Sequence, residues 1–445
     1  MVRLAAAARA AGVAHFVRRI ELDVIRIEGG HRVSGVVTVE GAKNSALKLM
    51  AATILAPGVN TLTNVPNIAD VHVMGKVLSR LGARITVVDE HTLSIDTSLV
   101  DSWVTPYELV AQMRASTAVL GPLLGRFGKA TVAMPGGCNI GARKIDMHIL
   151  GLQALGVEFD LDHGDINATA PHGLAGTTVT LDFASVGATE NLMMASVRAK
   201  GTTVIDNAAR EPEIVDLANL LNEMGAQVKG AGTPVIEIEG VDTLCPVTHE
   251  VVGDRIEAGT FIATAALCGE PIEVRGFDPA HLGLVLRKYE QMGIAIERQG
   301  RGVRAWRDGA IRSVDIQTLP FPGFPTDMQA QTMCLLAVGD SSCVITENVF
   351  ENRFMFASEL QRMGADIRIE GHHAIVHGVS GFSGAEVKSP DLRGGAALVM
   401  AGLVADGETI VSDIYHIDRG YERFVEKLQG LGAHVERVEM PDPVL

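Results

Sequence analysis

The chain has 445 residues and a formal net charge of −15, from 38 Lys and Arg against 53 Asp and Glu. That length suits two or three domains, and the acidic balance excludes general binding to nucleic acid or acidic membranes, which needs a basic face. With 47% hydrophobic but only 4% aromatic residues, the core must be aliphatic.

Cys138, Cys245, Cys268, Cys334 and Cys343 form no CxxC pair and no metal-ligand spacing, which points to a reducing compartment. Cys268 and Cys334 sit in apolar helix-like runs, as plain core residues do. No apolar run spans a membrane without interruption. Residues 1–21 are Ala-rich and basic, but Arg9 and His15 break any apolar stretch, so a secretory signal is not expected. An unstructured extension or a short amphipathic helix is expected there, and a cytoplasmic location for the whole.

In chain order, one unit recurs six times. Each contains a strongly apolar helix, opening near Asn44, Arg114, Val186, Arg255, Asp327 and Arg393. Helices apolar on most faces belong in a core. A short strand follows, opening near Asn60, Ala130, Thr202, Pro271, Cys343 and Thr409. A loop then leads to a second, amphipathic helix. It ends at Leu81-Gly82, Leu155-Gly156, Met224-Gly225, Met292-Gly293, Met363-Gly364 and Leu431-Gly432, with glycines 74, 69, 68, 71 and 68 residues apart. Glycine just past a helix end predicts a left-handed position. In most units an alternating apolar–polar strand pair follows, the mark of a half-buried sheet. Six such units suggest two lobes of three.

The unusual polar residues fall at two places in this unit. Lys43, Arg114, Arg255, Asp327 and Arg393 lie at or just before an apolar helix; Cys138, Arg143, Arg210, Arg353 and Arg419 lie in strand-to-helix loops. Helix N-termini favour anions, and arginine adds forked donors suited to phosphate and carboxylate. An acidic chain that collects arginines there is built for a small polyanion. In the loop Met134–Arg143, glycines surround Cys138 near Arg143, where a thiol can become reactive; the plainer reading is an inert buried cysteine.

Nine motifs then carry a resemblance: Glu40-Gly-Ala-Lys-Asn44, Met113-Arg-Ala-Ser116, Pro135-Gly-Gly-Cys-Asn-Ile-Gly-Ala-Arg143, Ser185-Val-Gly-Ala-Thr189, Asn207-Ala-Ala-Arg-Glu-Pro-Glu213, Phe324-Pro-Thr-Asp327, Glu351-Asn-Arg-Phe354, Asp391-Leu-Arg393 and His416-Ile-Asp-Arg-Gly-Tyr421. From about Val24 to about Val438 the chain resembles the EPSP synthase-like enolpyruvyl transferases, and among them those that use UDP-N-acetylglucosamine. The resemblance implies an α/β fold, a two-lobed inside-out α/β barrel of six βα repeats, three per lobe. Residues 43–252 would form the lobe carrying the Cys138 loop, and 22–42 plus 253–445 the second.

The resemblance also implies a reaction: enolpyruvate passes from phosphoenolpyruvate to the sugar 3-hydroxyl, phosphate leaves, and no metal or other cofactor is needed. Lys43, Asn44, Arg143, Arg393 and Arg419 would bind phosphoenolpyruvate. Arg114, Arg143, Lys144, Ile145, Ser185, Val186, Asp327 and Val349 would bind UDP-N-acetylglucosamine. Catalysis would fall to Cys138, Asp327, Lys43 and Arg419, with Arg353 and Asp391 organising the closed cleft and Glu211 and Glu213 in support behind it. Fosfomycin would alkylate Cys138. For Asp327 the residues also allow a plainer part, a helix N-cap by Thr326 or Asp327. Asn139, Lys144 and Phe183 depart from the residues common in the family, which bears on the lid and on nucleotide contact. Alternatives are another acceptor (shikimate 3-phosphate or a nucleotide) and an inactive UDP-sugar-binding paralogue.

Overall fold

The computed structural model describes residues 21–105, 107–110, 113–134, 145–162 and 164–441. The expectations for the N-terminal extension and for Cys138, Asn139, Arg143 and Lys144 lie outside the described residues.

Among the described residues, six small sheets carry the six units, five of four strands and one of three. Each encloses one buried helix between parallel neighbours. Thr178–Thr180 and Thr202–Asp206 run parallel on either side of the helix Val186–Ser196. Glu386–Lys388 and Glu408–Ser412 do the same around Leu392–Val404. The amphipathic helix and an antiparallel pair complete the unit, as in Pro212–Glu223 followed by Gln227–Lys229 and Val235–Glu239. In the unit with three strands, the parallel position is taken by an isolated bridge, Val104 to Thr131.

The helices are inside and the sheets outside. Every residue of Gln329–Ala337 is buried, whereas Val235–Glu239 buries Ile236 and Ile238 and exposes the residues between them. The apolar helix runs become core and the alternating runs become half-buried sheet, as their periods require. The six recurring glycines close their helices with φ between 92° and 108°, a region that only glycine enters without steric cost.

Buried side chains form two separate clusters. One draws on Ala46 through Val251; the other combines Ile25–Val39 with Ile256–Val435. The chain passes between them twice, at residues 40–43 and 251–254. There Gly41 bridges Gly253, and Ala42 N–H donates to Val252 C=O at 2.6 Å. A Cβ on Gly41 would lie 1.9 Å from the Asn64 carbonyl oxygen, and one on Gly253 would lie 1.9 Å from that of Gly276. Both crossings therefore require glycine. Exchange of parallel strands also joins the units: Thr248–Glu250 supplies the edge for Val59–Thr63, and Gly35–Thr38 the edge for Ile272–Arg275. Strand Glu21–Glu28 sits between Glu408–Ser412 and His434–Pro441.

Gly253→Ala should therefore destabilise the protein by about 1–3 kcal/mol, the usual cost of overpacking, read as a lower urea midpoint.

Candidate active site

The helix Lys43–Ala52 presents its first turn at the junction of the two cores, and carboxylates grip that turn. Asp254 accepts from Lys43 N–H at 3.2 Å, and its other oxygen caps the next buried helix through Ile256 and Glu257 N–H at 2.8 and 3.0 Å. Asp216 accepts from the Ser45 hydroxyl at 2.5 Å and from Val252 N–H at 3.1 Å. Asp70 lies 2.9 Å from Lys43 Nζ.

Asp70 also binds Arg419 in forked fashion, at 2.9 Å to Nε and 3.2 Å to Nη2. This ties the helix Ala69–Arg80 to the loop after Tyr415–Asp418 in the other core region. Burial pushes Asp70 up, but Lys43 and Arg419 more than offset it, so its pKa lies below the ordinary value. Lys43 is depressed, chiefly by burial, while Asp70 pulls it up and Arg419 and Arg393 push it down. Lys43 and Arg419 thus share one carboxylate, with Arg393 near enough to act on the lysine.

A second carboxylate organises the other side. Asp327 accepts from Arg353 Nη2 at 2.8 Å and Arg393 Nη2 at 3.1 Å, and Asn44 Nδ2 lies 3.5 Å away. Burial raises it, but Arg393 and Arg353 outweigh burial and hold it well below the carboxylate range. Arg393 is 2% exposed, and the Tyr421 hydroxyl acts on its guanidinium, but among the described residues its Nε and Nη1 make no well-formed hydrogen bond. Buried donors of this kind are costly, and an incoming carboxylate or phosphate would satisfy them. Tyr421 lies beneath this guanidinium, 5.2 Å from Cζ to ring centre, and its hydroxyl is fixed by Thr260 at 2.9 Å.

The capping role allowed for Thr326 or Asp327 is corrected. Pro325 holds the cap position of a short 3-10 turn, with no side-chain cap. The Thr326 hydroxyl instead donates to Glu347 at 2.9 Å, and the Asp327 carboxylate is occupied by the arginines. Asp391 does cap a helix, accepting from Arg393 and Gly394 N–H at 2.9 and 3.0 Å, and so fixes where Arg393 begins.

Lys43, Asn44, Asp327, Arg353, Arg393 and Arg419 are brought together. Ser185 caps Val186–Ser196, and Ile145 opens Asp146–Ala154. Val349 N–H donates to Glu347 at 2.8 Å. Phe183 is 39% exposed. Arg114 opens a 3-10 turn, and its backbone alone is described. Arg255 pairs with Glu213 at 3.0 and 3.2 Å, and Glu211 accepts from Phe321 N–H at 3.2 Å. Asp70, Asp216, Asp254 and Glu347 were not singled out from the sequence. Asp254-Arg-Ile-Glu257 carried a signal, the spacing of a helix start. Asp70 carried none, since acidic residues are common in a first helical turn.

Comparison with known proteins gives the family. The family model of EPSP synthase (3-phosphoshikimate 1-carboxyvinyltransferase) matches residues 27–428. A protein of Carboxydothermus hydrogenoformans named UDP-N-acetylglucosamine 1-carboxyvinyltransferase 2 is 54% identical over 93% of this chain and 98% of its own length. UDP-N-acetylglucosamine 1-carboxyvinyltransferase 1 of Staphylococcus aureus is 49% identical over 94% of this chain and all of its own. Among solved structures, the enolpyruvyl transferase NikO from Streptomyces tendae superimposes with a TM-score of 0.86 at 26% identity, covering 95% of this chain and 100% of NikO. The chain belongs to the EPSP synthase-like enolpyruvyl transferase family, whose fold is the two-lobed inside-out α/β barrel.

The grip on Ser45 has a pH dependence. His249 Nε2 lies 2.9 Å from Asp216 and its Nδ1 2.8 Å from Glu223. Burial lowers its pKa, but the two carboxylates more than offset this and raise it above the ordinary value. A raised histidine stabilises fully below its unfolded pKa, about 6.5, and loses that contribution as pH rises through the folded value. His249→Gln should therefore lower the urea midpoint most in mild acid, with variant and parent converging in alkali.

Proposed function

We propose that the chain transfers enolpyruvate from phosphoenolpyruvate to the 3-hydroxyl of UDP-N-acetylglucosamine, releasing phosphate, the first committed step of peptidoglycan synthesis. The observation that carries this reading is the pair of carboxylate-held cation clusters, Lys43–Asp70–Arg419 and Arg353–Asp327–Arg393, meeting at the helix start that bears Asn44. Full-length relatives at about 50% identity that carry this activity in their names support the choice of acceptor.

In this reading Lys43, Asn44, Arg143, Arg393 and Arg419 bind phosphoenolpyruvate. Arg114, Arg143, Lys144, Ile145, Ser185, Val186, Asp327 and Val349 bind the sugar nucleotide. The lobes divide as 43–252 against 22–42 with 253–445, and Arg353 and Asp391 organise closure. The 3-hydroxyl oxygen attacks C2 while its proton goes to Asp327 and Cys138 protonates C3. C3 then returns a proton as the C2–oxygen bond to phosphate breaks, restoring the double bond. Fixed cations stabilise the departing phosphate, commonly the largest catalytic contribution.

Asp327 as it stands is a weak base, because two arginines hold its charge. When Arg393 turns to phosphoenolpyruvate, Asp327 loses one cation and gains basicity, so the base is armed by the second substrate. Phosphoenolpyruvate and nucleotide sugars are cytoplasmic metabolites, which places the reaction there. Among the described residues no helix is long and apolar enough to cross a membrane.

The test is incubation with phosphoenolpyruvate and candidate acceptors, following phosphate release and product mass. UDP-N-acetylglucosamine should support release. Release with shikimate 3-phosphate or a free nucleotide, and none with UDP-N-acetylglucosamine, would overturn the acceptor assignment. Asp327→Asn should lower kcat by about 10²–10⁴-fold, the range for loss of a general base. Fosfomycin should add one adduct to the intact mass, absent in Cys138→Ser.

A further inference from the structure

Lys48 and Glu190 belong to none of the nine motifs' assigned roles, yet they join two helices that start at the cleft. Lys48 Nζ lies 3.1 Å from Glu190 Oε2, and donates to Glu190 Oε1 at 3.2 Å and to the Asn44 carbonyl at 3.1 Å. Their side chains are 14% and 1% exposed. Burying a charged pair incurs a desolvation cost, and apolar residues of similar size often stabilise as well or better. The pair therefore calls for an explanation other than packing.

What it holds is the first turn of Lys43–Ala52. The bond to the Asn44 carbonyl fixes the peptide that follows Asn44. The Asn44 amide faces Asp327 at 3.5 Å, and Ser45 on the same turn is held by Asp216. Glu190 is fixed in Val186–Ser196, the helix capped by Ser185. We propose that Lys48 and Glu190 are positioning residues for the reaction, setting Asn44 against its substrate and tying the phosphoenolpyruvate end of the cleft to the sugar-nucleotide end. The inference rests on the enolpyruvyl-transfer reading.

The pair has a built-in titration. Glu190 meets Lys48 from one helix, and Glu211 and Glu213 from the segment opening Pro212–Glu223; Glu213 is itself paired with Arg255. Three carboxylates thus face two cations. Burial raises Glu190 most, Lys48 lowers it, and Glu213 and Glu211 raise it again, leaving it at about 7. Protonated Glu190 loosens its hold on Lys48, so the turn is held best above neutrality.

The experiment measures kcat and KM for phosphoenolpyruvate across this pH range, at saturating UDP-N-acetylglucosamine, with urea unfolding in parallel. The variants are Glu190→Gln, Lys48→Arg, and the double variant Lys48→Met with Glu190→Leu. The double variant should keep the parent's urea midpoint and lose on the order of tenfold in kcat/KM, a loss of the size expected when a reacting group is slightly misplaced. Lys48→Arg, which keeps charge and donors, should retain most of the rate. Glu190→Gln, nearly isosteric, should lose the ionisation near neutrality that the parent shows. A double variant with parental kcat/KM at every pH, or a Glu190→Gln profile that keeps that ionisation, overturns the proposal. Failure of the parent itself to release phosphate would instead overturn the underlying reading.

Discussion

The cleft depends on Asp70. Burial depresses Lys43, and Arg419 and Arg393 lie close enough to depress it further; gathering cations away from water is costly unless an opposite charge is present. Asp70 supplies that charge to two of them, one from each core region. Around it the structure is over-determined. Asp254 fixes the Lys43 backbone, Asp216 fixes Ser45, and glycine crossings keep the two connections close. Lys43 and Arg419 are thus fixed in place by Asp70, a preorganisation of the kind that lowers the cost of stabilising developing charge.

Asp327 repeats the device with a different outcome. Asp70 engages a lysine and an arginine; Asp327 engages two arginines and faces an amide. In the proposed reaction, substrate anions would compete with both carboxylates for the same donors. Asp327 is the one whose release changes its chemistry, because a carboxylate freed from a guanidinium becomes a better proton acceptor. In the proposed mechanism, binding and activation of the base would therefore be one event.

Much of this was legible in the sequence because the unit repeats. The six Leu/Met-Gly junctions predicted left-handed glycines, and Gly82, Gly156, Gly225, Gly293, Gly364 and Gly432 all adopt that conformation. The cationic helix starts were legible as well, since Lys43, Arg255 and Arg393 interrupt otherwise apolar runs. The partners were not. Asp70, Glu190 and Glu347 look like ordinary acidic residues, and what sets them apart is burial against cations and hydroxyls distant in sequence. Asp327 was open to a capping reading because an acidic residue before an apolar run is what a cap looks like. The arginines that claim it come from positions 353 and 393, and only the fold brings them there.

The placement of strand Glu21–Glu28 bears on how the protein is made. Its eight residues pair with His434–Pro441, at separations of 406 to 420 positions. On a ribosome elongating at about 5–20 residues per second, the first strand emerges and then waits roughly 20–80 s for its partner. From about the midpoint of that interval, every residue of the core that draws on Ala46 through Val251 is already present. The core that contains the long-waiting strand is therefore completed last, and an exposed strand edge must be kept from pairing elsewhere until residues 434–441 emerge.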